Sequence, residues 1–225
     1  MNTSYENSLE IDPSIKISGY INGKNNRVKI GKASQASTIH ITINGNNNTI
    51  EIVEPLSIKD LTIACGNHFP IYNSKILIGK NFSIEPNSKI LLFQSGCTLK
   101  VGEDCMLSSN ITIRLGEFPH LLFDLSSSQI MTGKSELTVG NHVWIGENSY
   151  LTKSADIPDE CVIGANSVVT RRFTECNSII AGNPATIVKR KIKWLRNTGS
   201  LKHFPDLLKS FENFQSEFAN FQESK

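Results

Sequence analysis

The sequence predicts an all-β parallel β-helix, a triangular prism of hexapeptide coils, on three observations. Residues 139–174 divide into the hexads VGNHVW, IGENSY, LTKSAD, IPDECV, IGANSV and VTRRFT, whose first column (Val139, Ile145, Leu151, Ile157, Ile163, Val169) is branched aliphatic throughout. The fifth column (Val143, Ser149, Ala155, Cys161, Ser167, Phe173) is mostly small, and glycine recurs in the second at Gly140, Gly146 and Gly164. A period of six is neither the helical repeat nor a simple strand alternation. It suits a short strand that turns through roughly 120 degrees, so that three hexads close a coil of roughly 18 residues with the aliphatic column inside and glycine relieving the corner.

Residues 1–74 are a looser version of the same design. INGKNNRVKI (21–30) and INGNNNTIEI (43–52) match at six of ten positions with an offset of 22 residues. Each has a corner rich in Asn and Gly, which tolerate left-handed backbone, followed by an alternating strand; stacked asparagines can form hydrogen-bonded ladders. These read as irregular coils that lengthen the prism, the other reading being a separate β-domain. Residues 75–188 carry the regular hexads, beginning with IGKNFS and IEPNSK from Ile78 and VGEDCM and LSSNIT from Val101. From Lys189 to 225 the chain is first basic, then repeats Phe204, Leu207, Phe211, Phe214, Phe218 and Phe221 at steps of three and four. That spacing predicts an amphipathic helix with a narrow apolar seam, packed on the prism or on a neighbouring subunit.

Composition narrows the function. A net charge of +2 is too small for a nucleic-acid track. No stretch approaches the roughly 18 apolar residues of a membrane span, and the amino terminus MNTSYENSLEIDPS lacks a signal-like region, so the expected location is cytoplasmic. Five scattered cysteines (Cys65, Cys97, Cys105, Cys161, Cys176) form no C-x-x-C pair and no metal-ligand spacing, and no metal is expected. Cys105 and Cys161 fall in the small fifth column, as core residues.

The hexads break between Ile113 and Val139, and a loop spanning 114–138 is where a site is expected to form. The segment VGNHVWIGENSYLTKSADIPDECVIGANSVVT, followed by IIAGNPATIVKR, resembles the last coils of the hexapeptide-repeat acyltransferases, among them galactoside and maltose acetyltransferases and the O-acetyltransferases of bacterial capsules and lipopolysaccharides. The resemblance covers about 75–190 and implies a left-handed prism, against the usual right-handed crossover. It also implies a homotrimer with sites in the clefts between protomers. The family's loop motif H-P-I-[FY]-D stands here as His120-Leu-Leu-Phe123-Asp124, with Pro119 before the histidine. Trp144 follows at the family's spacing, and Ala181, Gly182, Asn183 and Pro184 match the closing motif.

The resemblance implies transfer of acetyl from acetyl-CoA to a sugar hydroxyl, of a surface polysaccharide or its precursor. An imidazole titrates near neutrality and can take the hydroxyl proton and return it to the departing thiolate, a role that falls to His120. Asp124 would orient the imidazole or cap the loop. Trp144 lines the site in the family or seals a subunit contact, a backbone N–H near Gly146 or Glu147 would hold the thioester oxygen, and Ala165, Gly182, Asn183 and Pro184 flank the coenzyme. Lys189 and Arg190 meet its phosphates or merely begin the basic segment. His142 is the rival base, while His40, His68 and His203 have no supporting context. N-acetylation of a nucleotide-linked amino sugar and a non-catalytic carbohydrate-binding β-helix are the alternative functions. A zinc enzyme on this fold would need clustered histidines that the sequence lacks.

Overall fold

The computed structural model describes residues 6–131 and 136–223, with side chains to residue 216 in the final helix. Residues 132–135 of the expected loop, and the side chains of Phe218 and Phe221 of the expected seam, lie outside it. The chain forms two compact units, one up to Ile192 and one from Lys193.

The first unit is a prism with three parallel faces. One face stacks strands from Ser8–Ile11 through Thr98–Val101 and Glu136–Val139 to Asp156–Ile157. A second runs from Ile15–Asn22 through Leu61–Cys65, Ser88–Leu92 and Thr112–Leu115 to Val168–Val169. The third runs from Ser57–Ile58 through Met106–Leu107, Trp144–Ile145 and Val162–Ile163 to Ile179–Gly182, against which Ala185–Lys189 folds back antiparallel. All six residues of the first hexad column and all six of the fifth are buried, so the prism interior is the hexad pattern made solid.

The corner chemistry differs from the expectation. The residue that turns each corner is the fourth of the hexad: Asn81, Asp104, His142, Asn148, Ser154, Glu160 and Asn166 all have left-handed backbone, with φ from 50° to 72°. Glycine in the second position is there for contact. A Cβ on Gly146 would lie 2.7 Å from the backbone nitrogen of Ala165 in the next coil, closer than any real Cβ packs.

The Asn-rich segments stack in the same faces at the offset of 22, with Ile21 opposite Ile43 and Val28 opposite Ile50. Inside them runs a ladder: Asn7 Oδ1 accepts from the Asn26 amide N–H (2.9 Å), Asn26 Oδ1 from Asn48 N–H (3.0 Å) and Asn48 Oδ1 from Ser74 N–H (3.0 Å). Asn26 and Asn48 are fully buried, and each amide there meets donors and acceptors in the next coil, which removes the cost of burying it.

The first unit runs past Lys189 because that residue still belongs to a strand. The second unit holds a short 3-10 helix, Thr198–His203, and the helix Pro205–Glu223. From Phe204 to Ser216 the half-buried residues are Phe204, Leu208 and Phe211, whereas Leu207 and Phe214 are exposed. At roughly 100° per residue Leu207 and Leu208 flank the line of Phe204 and Phe211 equally, and it is the Leu208 side that is covered. No helix among the described residues is long and apolar enough to cross a membrane.

Candidate active site

The strands Leu61–Cys65, Ser88–Leu92 and Thr112–Leu115 are in register on one face, so their following segments leave the prism at one corner. Two of them leave through left-handed glycines, Gly66 (φ +73°) and Gly116 (φ +89°). Beyond Gly116 the His120 N–H closes a turn onto the Glu117 carbonyl (3.0 Å). The Phe118 ring meets Phe69 edge-on, centroids 5.2 Å apart, which ties the His120 segment to the earlier coil. Between the two segments lies a cavity of about 310 Å³, lined by His68, Phe69, Phe93, Arg114, Phe118 and His120 among others. Its size falls at the lower end of the roughly 300–1,000 Å³ of small-molecule sites. The Arg114 guanidinium stacks 5.2 Å over the Phe93 ring, and its Nε donates to the Gly116 carbonyl (3.4 Å). Glu117 turns away to Lys153, at 2.6 Å.

Asp124 is committed elsewhere. Its Oδ1 accepts from the backbone N–H groups of Ser126 and Ser127, both at 2.8 Å, and from both hydroxyls. Hydrogen bonds from the Ser126 hydroxyl and the Ser127 N–H lead the causes that hold its carboxyl at about 2. It caps the tip of a hairpin closed by the Phe123–Ile130 bridge, and among the described residues nothing hydrogen-bonds the His120 ring. His142, the rival base, sits at a left-handed corner with Nδ1 2.6 Å from Asp104 Oδ2. That pair bridges two coils within the repeat.

Trp144 lies on another face, in register with Met106 and Val162, and its indole N–H donates to Ser108 Oγ (3.2 Å). The corner after it stacks the expected coenzyme residues in a column: Gly146 against Ala165, and Gly164 against Ala181 with Gly182 beyond. Glu147, Ala165, Gly182, Asn183 and Pro184 are exposed along it. The Gly146 N–H is already given to the Ile163 carbonyl (2.8 Å). Of the two expected oxygen-holding donors, Glu147 N–H is the one without an acceptor among the described residues. Arg190 is paired with Glu175 through two bonds of 2.6 and 3.2 Å, while Lys189 is exposed. The His120 segment and the Trp144 column leave from different corners of the prism, so one chain does not bring them together.

Residues 136–171 match the family described as the hexapeptide repeat of succinyl-transferase. The polysialic acid O-acetyltransferase of Neisseria meningitidis is 31% identical over 177 residues, 77% of each chain. The chain belongs to the hexapeptide-repeat acyltransferases. A polysialic acid O-acetyltransferase of Escherichia coli O1:K1 / APEC is 28% identical over 55% of this chain, a match that spans only 39% of that relative's length. The crystal structure of the polySia-specific acetyltransferase NeuO superposes with a TM-score of 0.72 at 24% identity, covering 88% of this chain and 81% of its own. The shared fold is the left-handed β-helix.

In this acyltransferase, four of the five cysteines are buried, and burial pushes the Cys65 thiol up to about 12, which removes it as a nucleophile. Sequence reasoning missed His68, Phe69 and Arg114 as neighbours of His120. The signal was available only as two glycines ending strands that share a register, which a hexad alignment does not display. Trp144 is 37% exposed, and its indole N–H is tethered to Ser108. Trp144→Ala is expected to leave oligomeric mass unchanged and to weaken donor or acceptor binding about tenfold, the scale of one aromatic contact with its orientation. Sedimentation and steady-state kinetics on the same sample check this; dissociated but proportionately active protein would make Trp144 an interface residue.

Proposed function

We propose that this protein is an O-acetyltransferase that moves acetyl from acetyl-CoA to a hydroxyl of a capsule-type polysaccharide in the cytoplasm, with His120 as general base. The observation that carries the reading is the position of His120 in the wall of a sugar-sized cavity, on a segment anchored at both Gly116 and Phe118. The relatives named as polysialic acid O-acetyltransferases support the acceptor class.

In this mechanism the acceptor oxygen attacks the thioester carbonyl carbon while His120 takes its proton. The new C–O bond forms, charge gathers on the thioester oxygen, and the Glu147 N–H supplies a preorganised donor to it. The C–S bond then breaks and His120 returns the proton to the thiolate, so no covalent enzyme intermediate is needed. The Trp144 column, with Ala165, Gly182, Asn183 and Pro184, holds the pantetheine arm, and Lys189 is the better phosphate partner because Arg190 is already neutralised by Glu175.

The two halves of the site meet across a homotrimer cleft, the His120 segment of one protomer facing the Trp144 column of the next. The hairpin after His120 supports this: Leu121, Leu122, Phe123, Ile130 and Met131 are at least half exposed, and Leu125 is 96% exposed. Contiguous apolar surface of this kind marks an interface. Light scattering at micromolar concentration is expected to give three times the 24.9 kDa chain mass; a monomer mass would remove the cleft. The function itself is tested by incubating the purified protein with acetyl-CoA and polysialic acid oligomers. Thiol release with an acetyl mass increment on the oligomer is expected, and neither appearing would sink the reading.

A further inference from the structure

Arg114 differs from the other arginines of the prism, including Arg171, which also stacks on a ring (Phe173) but is exposed and lines a groove with Glu136 and Asp156. Arg27, Arg172 and Arg190 each face a carboxylate, at 3.6, 2.9 and 2.6 Å. Arg114 is half-buried, faces a cavity whose lining includes no Asp or Glu, and has no carboxylate partner among the described residues. The nearest candidate in sequence, Glu117, is bound to Lys153 instead. What holds Arg114 is a ring and a carbonyl: Phe93 beneath the guanidinium and the Gly116 oxygen at Nε. Both contacts fix the plane of the fork while leaving its terminal nitrogens without a counter-charge. A rotamer-restricted guanidinium that lacks an anion, beside the candidate base, is a preorganised receptor for one.

We propose that Arg114 is the specificity-determining residue that reads the carboxylate of an acidic sugar acceptor, and so places that sugar's hydroxyl at His120. The proposal rests on the reading of His120 as base in an O-acetyltransferase. Three observations define the ligand. The cavity holds about one sugar ring at 310 Å³. Phe69, Phe93 and Phe118 offer the aromatic faces and edges against which the C–H face of a sugar packs. A single planar fork with no lysine in the lining matches the geometry and charge of one carboxylate, whereas a nucleotide diphosphate brings more negative charge than one guanidinium can balance. His68, from the earlier coil, adds a second imidazole able to bond a hydroxyl of the same ring. In the cleft proposed above, the donor reaches His120 from the Trp144 column of the neighbouring protomer, and the acceptor sugar fills the cavity of this chain.

The test compares three acceptors: a sialic acid oligomer, the same oligomer with its carboxylates reduced to primary alcohols, and a nucleotide-linked amino sugar. Each is assayed with wild type, Arg114→Gln and Arg114→Lys, after circular dichroism and light scattering show that the variants keep fold and mass. Wild type is expected to prefer the acidic oligomer over the reduced one. Arg114→Gln should raise KM for the acidic oligomer about 10- to 100-fold, the scale of hydrogen bonds to a charged group, and abolish the preference. Arg114→Lys, which keeps the charge without the fork, should recover part of it. Equal losses on acidic and reduced oligomers, or no wild-type preference between them, would overturn the role of Arg114 while leaving the transferase reading intact. Acetylation of the nucleotide sugar alone would overturn the acidic-acceptor assignment. If no acceptor is acetylated and acetyl-CoA is not consumed, the transferase reading fails and the proposal falls with it.

Discussion

His120→Ala is expected to lower acetyl transfer about 10²- to 10⁴-fold, the usual loss when a positioned acid–base group is removed. Fold and assembly should survive, because His120 is exposed, is hydrogen-bonded among the described residues through its backbone N–H to Glu117, and lies outside the prism interior. The comparison that gives the result its meaning is His142→Ala. That imidazole is bonded to Asp104 between coils, so its removal should cost stability, read as a lower melting temperature, with turnover largely kept. Near-normal turnover in His120→Ala would end the mechanism, and a collapse of activity in folded His142→Ala would move the base to the repeat.

Gly116→Ala is expected to cost about 10²-fold in transfer without touching any group that does chemistry. A Cβ at Gly116 would stand 2.5 Å from the Gln94 Cβ, 2.8 Å from the Gln94 backbone nitrogen and 3.0 Å from the Phe93 carbonyl carbon. None of these can swing aside, since they belong to the adjacent coil. The residue also sits at φ +89°, where a side chain adds strain of about 1–3 kcal/mol. The segment from Glu117 to His120 must therefore shift, and displacement of a reacting group by about 1 Å is enough for a 10²-fold loss. If Gly116 acts only by aiming His120, then adding Gly116→Ala to His120→Ala should lower activity no further. Kinetics on the two single variants and the double variant decide it, and additive losses would show that Gly116 serves something besides His120.

The prism was legible because a period of six writes the same demand, one aliphatic residue inward per face, many times in succession. Val139 and Val169 are read alike however far apart they lie. The corner residues were harder, since Asn, Asp, His, Ser and Glu share no hydropathy; what unites Asp104, His142 and Glu160 is a backbone angle. His120 stood out because the loop interrupts the pattern, and Asp124 was ambiguous because a carboxylate four residues on can orient a ring or cap a turn. The hydroxyls of Ser126 and Ser127, unremarkable in sequence, donate to the Asp124 Oδ1 within the turn. Arg114, Phe69 and His68 stayed hidden because coil stacking brings together residues whose separation in sequence depends on every insertion between them.

A stack of parallel coils has a weakness at its ends, where the last coil offers open strand edges on which another chain could continue the pattern. Here the segment Ala185–Lys189 reverses direction and lies antiparallel along Ile179–Gly182, with a register shift between Ile179 and Ile180. A coil arriving in the parallel sense finds on this face a final strand running the wrong way and out of step. On this face the reversal ends the repeat by chain direction rather than by a change in hydrophobicity. The grammar that lets coils stack within a molecule stops here at a strand of the opposite sense.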